Sequence, residues 1–366
     1  MPALTGRRFA GSRARGVAGS PVRGLALLVA AGWLWGAVPS AQNSQHEVHD
    51  YLARVNLGAA EIPRLETGGV VTVVAEGQKS SNEVFVVAAV KIRVPRPQVA
   101  DYYRQMVVYV DGEVTLAFGR FSSPPSIADV KDLSFDRSEV DQLKSCRPGR
   151  CDIRLGGAGL EALRSSVDWK AADYVERANA FARQAAVDYV VAYQARGDEA
   201  LVTYNDRAQP VSLKDQWAGM LANSPFFHQY LPEAKTYLEQ FPKGSLPGAR
   251  DVFYWLKEKY ASFKPIVSIV HAVVYDPPAQ TDRTIVLQKQ LYASHYLDGS
   301  FAMATLLDTQ EGGRPSTYLV YTNRSRGDFL KGGFGGLKRN AARSQARRAA
   351  EDTLGTIKRM LESAGP

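Results

Sequence analysis

Cysteine is nearly absent from this chain. There are two in 366 residues, Cys146 and Cys151, so neither a disulfide framework nor a cysteine-rich metal site can be what holds it together. Histidine is also scarce, at five residues, and none stands in a His-Glu-x-x-His pattern. The closest approach is His46-Glu-Val-His49, which has the wrong spacing and reads as the solvated start of a helix over Val48–Leu57. No glycine cluster has the Gly-x-Gly-x-x-Gly spacing of a dinucleotide site. The longest apolar run, Gly24–Val38, is about five residues short of the roughly twenty that span a bilayer. No metal and no cofactor is expected.

That apolar run has a different context. Arg7, Arg8, Arg13, Arg15 and Arg23 form a basic leader without acidic residues, and the small residues Ser40-Ala41 follow Pro39. The three regions match a secretory signal peptide over residues 1–41, the alternative being an uncleaved anchor. The protein is therefore expected to be exported, periplasmic or extracellular. The formal net charge is +8, and five leader arginines account for most of it, which leaves +3 on the remainder. So modest a charge argues against nucleic-acid binding. In an oxidising compartment Cys146 and Cys151, with the turn dipeptide Pro148-Gly149 between them, are expected to form a structural disulfide.

A composition with 45% apolar and 22% charged residues is globular, and a chain of this length buries roughly three quarters of its unfolded surface. Valine-rich runs at 69–75 and 84–94 predict two strands, stopped by Pro95 and Pro97, with a helix over 98–107. Further strands are expected at 113–121, 127–133 and 151–155, and Gly156-Gly-Ala-Gly159 reads as a turn. Helical spacing of Tyr174, Phe181, Ala185, Tyr189 and Ala192 predicts a long helix over 167–196. Short helices cut by prolines follow, ending in one over 248–263 that carries Val252, Trp255, Leu256 and Tyr260. The apolar, proline-bounded stretch 224–232 is either a lid over a cavity or a packed connection.

The last quarter organises the rest. Strands are expected at 265–275, 284–297, 300–308 and 316–323, then a glycine-rich loop (Gly327, Gly332, Gly333, Gly335, Gly336) and a helix over 337–363. Ala342, Ala346, Ala350, Leu354, Ile357 and Leu361 form its apolar face, and the small residues of its first half allow either close approach or room for a ligand. Basic residues on the remaining face are a solvated surface or a contact for anionic lipid headgroups. The expected fold class is α+β, a curved antiparallel sheet gripped by a long C-terminal helix, with an enlarged helical middle.

The order of sheet, glycine-rich loop and closing helix, with Tyr318-Leu-Val-Tyr-Thr-Asn-Arg324 as the last strand, resembles the START and polyketide-cyclase-like (helix-grip) superfamily. The run Lys289-Gln-Leu-Tyr-Ala-Ser-His-Tyr-Leu-Asp298 is similar to a segment of secreted bacterial proteins. The resemblance implies one such domain over 42–366, with a helical insertion over about 167–263, and a container for an apolar ligand, often a lipid. Tyr292, Tyr296, Tyr318 and Tyr321 are candidate walls, and His271, Lys289, His295 and Arg324 candidate orienting groups. Strand alternation forbids all eight from sharing one face. Two alternatives stay open. One is an enzyme on the same fold with His271 or His295 as general base; the other is a cell-envelope interaction protein with an exposed apolar patch.

Overall fold

The computed structural model describes residues 41–75, 82–106, 114–260, 263–327 and 335–363. The basic leader and most of the glycine-rich loop lie outside the described residues. Eight strands build one antiparallel sheet: β1 (Val71–Ala75), β2 (Glu83–Ile92), β3 (Thr115–Arg120), β6 (Ala249–Glu258), β7 (Ile266–Tyr275), β8 (Arg283–Ala293), β9 (Leu297–Glu311) and β10 (Arg314–Gly327). A two-residue ladder joins β4 (Thr203–Tyr204) to β5 (Val211–Ser212). The order across the sheet is β1-β2-β10-β9-β8-β7-β6-β3. Five consecutive strands, β6 to β10, thus form a meander, and the N-terminal strands extend it at both edges.

Helices cover both faces. On one lie α3 (Arg96–Gln105) and the closing α10 (Gly335–Ser363). On the other lie α1 (Ala41–Arg54), α2 (Ile62–Glu66), α4 (Arg137–Ser145), α5 (Gly157–Ser166), α6 (Tyr174–Arg196), α7 (Leu213–Ala222), α8 (Pro225–Tyr230) and α9 (Pro232–Gln240). The result is a curved α+β sheet with a C-terminal helix, consistent with a helix-grip fold. Two covered faces explain why the central strands are buried on both sides: all ten residues of β7 are buried.

Several expectations need correction. Residues 248–263 are not a helix but contain β6, which pairs with β7 along its whole length. Both faces of β6 are buried, so its run Val252-Phe-Tyr-Trp-Leu256 shows no alternation, and helical spacing of a few apolar residues arose by coincidence. The helical stretch accordingly ends at Gln240. Residues 127–130 form a 3-10 turn capped by Ser126 rather than a strand, and 151–155 holds no strand. Gly156 caps α5, so Gly156–Gly159 starts a helix instead of turning the chain. On α6 the buried residues are Ala178, Asn179, Ala186, Val187, Val190 and Tyr193, a stripe displaced from the expected aromatic one. The segment 224–232 is a packed connection: Phe227 is buried and Phe226 meets Tyr51 edge-on at 5.7 Å.

The closing helix is gripped at one end only. Ala350, Leu354, Ile357 and Leu361 are buried against the sheet, where each large side chain contributes roughly 1.5–3 kcal/mol. Lys358 Nζ donates to the Lys91 carbonyl at 2.6 Å, and Glu362 accepts from the Arg93 amide at 2.9 Å, fixing this end to β2. Towards its start the same stripe continues as alanine: Ala342 and Ala346 are only partly buried against the core, and with Ala349 they border a cavity between helix and sheet.

Candidate functional site

The gap under the alanine half of α10 is a cavity of about 330 Å³. That lies within the range of small-molecule sites, roughly 300–1,000 Å³. Its helix wall includes Ala342, Ala346, Ala349 and Ala350 together with the polar Gln345, Asp352, Thr353 and Thr356, and its sheet walls carry Val84, Val86, Leu256, Ile266, Val270 and Ala302. Every one of these strand residues has the parity that faces α10.

A band of polar side chains crosses the same sheet face. On β10 and β9, Ser300 Oγ lies 2.9 Å from Ser325 Oγ, Ser325 donates to Asn323 Oδ1 at 2.6 Å, and Asn323 donates to Tyr321 Oη at 3.1 Å. On β8 and β7, Gln290 donates through Nε2 to Ser268 Oγ at 3.2 Å. Among the described residues Gln290 Oε1 is buried and accepts no hydrogen bond. A buried acceptor left unmade costs about 1–3 kcal/mol, so this atom stands out on a wall whose other groups satisfy one another.

Glu258, at the end of β6, lines the cavity next to Tyr260, whose hydroxyl donates to Glu258 Oε1 at 2.8 Å. Burial pushes the Glu258 carboxyl up to about 7. Neither Glu258 nor Gln290 was among the residues singled out from the sequence. Glu258 sits in Lys257-Glu-Lys259, which looks like a solvated charge run. Its parity with Val252, Tyr254 and Leu256 was the available signal, and it becomes legible only once the segment is seen to be a strand.

Of the eight residues nominated from the sequence, Tyr296 and Tyr321 line this cavity. Tyr296 does so from a left-handed backbone conformation (φ 62°), with its hydroxyl accepting from the Lys264 amide at 3.1 Å. The other six lie elsewhere. His271 and Lys289 point to the opposite face, beneath the helical middle. His271 Nε2 is 2.8 Å from Asp251 Oδ1, Tyr237 donates to that same carboxylate, and Phe253 stacks on the imidazole at 4.6 Å. Burial holds the His271 pKa below its ordinary value, and the Asp251 carboxylate opposes that. Lys289 Nζ pairs with Asp198 and lies 4.9 Å from the centre of the Trp217 ring. Burial likewise lowers the Lys289 pKa against the pull of Asp198.

Tyr292 was expected beside Gln290, but a β-bulge separates them. Gln290 pairs with Val270 and Tyr292 with Ile269, so the extra residue Leu291 turns Tyr292 onto the helical-middle face. There Tyr292 donates to the Arg154 carbonyl at 2.9 Å. His295 is buried beside Ser294, Nδ1 to Oγ 2.9 Å, and burial lowers its pKa to about 4. Tyr318 faces α2, where its hydroxyl bonds Glu66. Arg324 pairs with Glu83 at 2.9 Å, as Arg326 does at 2.8 Å. Neither His271 nor His295 lines this cavity.

Cys146 and Cys151 are joined in a disulfide. Among the described residues no helix is long and apolar enough to cross a membrane.

No family model matches the chain, and no curated protein matches it. Among solved structures it is similar to the ZhuI aromatase/cyclase from Streptomyces sp. R1128, with 15% identity over 37% of this chain and 86% of that one and a TM-score of 0.22. It is also similar to the di-domain aromatase/cyclase BexL from the BE-7585A biosynthetic pathway, with 11% identity over 85% of this chain and 93% of that one and a TM-score of 0.21. Likenesses this distant say nothing of what this chain binds.

Proposed function

We propose that this protein binds a small molecule in the cavity between the sheet and the first half of α10. The ligand has an apolar body, which lies against the alanines of α10 and the valines of β2 and β7, and at least one hydrogen-bond donor, which meets Gln290 Oε1. The observation that carries this reading is that acceptor, buried on a cavity wall without a partner. Burial of apolar area drives binding, at roughly 25 cal/mol per Å², and the polar band fixes orientation. Lipids with a hydroxyl or amide headgroup belong to this class. Organic extraction of the protein followed by mass spectrometry is expected to recover a compound of that description. Recovery of nothing, or of a pure hydrocarbon, would count against the reading.

A second reading is favoured by Glu258. A carboxyl lining a cavity with a pKa near neutrality is suited to acid–base chemistry on a bound substrate. Under this reading Glu258 exchanges a proton with the ligand, and Glu258→Gln abolishes turnover while leaving affinity within a few fold.

Export is part of the proposal. It is supported by the basic, apolar and small-residue order of the leader and is compatible with the disulfide. We further take residues 42–366 as one unit, since strands from both ends of the described chain share one sheet. Contact of the basic α10 face with a membrane surface remains a proposal, tested by vesicle flotation at low and high salt.

A further inference from the structure

A second, larger cavity lies on the other side of the same sheet, between α5 and α6, with a volume of about 790 Å³. Its floor is Val267 and Ile269 of β7, and its walls are built from small residues of the two helices, among them Gly159 and Ala182. Small residues usually let two helices close on one another. Here they do not: a Cβ built on Gly159 would meet nothing within 4 Å.

The polar groups at the floor are already committed. Tyr189 Oη donates to the Leu291 carbonyl at 2.6 Å and accepts from the Val202 amide at 3.2 Å, and Tyr292 Oη donates to the Arg154 carbonyl at 2.9 Å. A peptide entering this space would bring backbone N–H and C=O groups along its whole length that need partners, and both floor hydroxyls have already given their proton to a carbonyl. A hydrocarbon chain needs none. At the mouth, Gln184 and Asp188 of α6 are exposed and hydrogen-bonded to each other at 2.8 Å, so a polar head can stay in water.

We propose that the α5–α6 cleft is a separate binding site for a single unbranched hydrocarbon chain, that of a free fatty acid or of a membrane lipid. It shares no lining residue with the α10 cavity, and it stands whether or not that cavity binds a ligand.

The test uses cis-parinaric acid, a polyene fatty acid whose fluorescence rises in apolar surroundings, titrated into the full-length protein. Ala182→Phe fills the cleft from α6 and Gly159→Leu fills it from α5; circular dichroism checks that each folds. Wild type is expected to bind the probe, both variants to weaken it at least tenfold, and Ala346→Phe, which fills the α10 cavity, to leave it unchanged. A parallel titration with phosphatidylcholine vesicles bearing a parinaroyl chain tells a free chain from one drawn out of a bilayer. No binding in either titration, or binding that folded Ala182→Phe and Gly159→Leu retain, overturns the proposal.

Discussion

Lys289 and Gln290 are neighbours in β8 and face opposite sides of one sheet. Lys289 reaches down to Asp198 beneath the helical middle, whereas Gln290 lines the cavity under α10. The two side chains therefore predict different consequences of substitution.

Gln290→Leu replaces an unpaired buried acceptor with an apolar group of similar size. Removing an unmet desolvation cost of about 1–3 kcal/mol is expected to leave stability unchanged or raised. Ligand binding is expected to fall at least tenfold. Urea unfolding and a binding titration on the same preparation check both, and lost stability with intact binding would assign Gln290 a purely structural role.

Lys289→Met behaves in the opposite way. It leaves Asp198 without its cation, and breaking a buried ion pair costs about 3–5 kcal/mol. The lower end applies, because the Asp198 side chain is 22% exposed. The double variant Lys289→Met/Asp198→Asn is expected to recover most of the loss in urea unfolding, with ligand affinity little changed in either variant.

Glu258 sets a pH dependence. Its folded pKa, about 7, lies above the ordinary value of 4.5, so the native state holds a proton that the unfolded state releases. The stabilisation from this proton is complete below pH 4.5 and is lost as pH rises through 7, at up to about 1.4 kcal/mol per pH unit. Denaturation midpoints of wild type and Glu258→Gln, compared at pH 5 and pH 8, should diverge towards alkaline pH, with the variant more stable there. Parallel midpoints would mean that the carboxyl is ionised throughout.

The disulfide closes a short loop, Cys146 and Cys151 being separated by five in sequence, so its effect on the unfolded chain is small. The paired variant Cys146→Ser/Cys151→Ser is expected to lose about 2 kcal/mol. Ligand binding in the α10 cavity should be unaffected.

Much of the architecture was legible because long, apolar, β-branched runs such as Ile266–Tyr275 have few ways to fold, and because α10 keeps one apolar stripe from Ala342 to Leu361. The alanine half of that stripe also carried the hint of a hollow. What stayed hidden depends on tertiary contacts. A strand buried on both faces, as β6 is, has no alternation to betray it. The bulge at Leu291 leaves no mark in the sequence, yet it moves Tyr292 to the other side of the sheet. Lys289 looked like a ligand group because it alternates with apolar residues, but its partner Asp198 comes from the 3-10 turn after α6, and the partner of His271, Asp251, from a neighbouring strand, too far away in sequence to pair by inspection.

Native mass spectrometry of wild type, Ala346→Phe and Ala182→Phe, each purified gently from the organism that makes it, tests the central claim most directly. Ala182→Phe, whose α5–α6 cleft is filled, is expected to carry an adduct, and that same adduct is expected to be missing from Ala346→Phe. Ala182→Phe free of any adduct, or the adduct of Ala182→Phe persisting in folded Ala346→Phe, would contradict a ligand held beneath the alanine half of the closing helix.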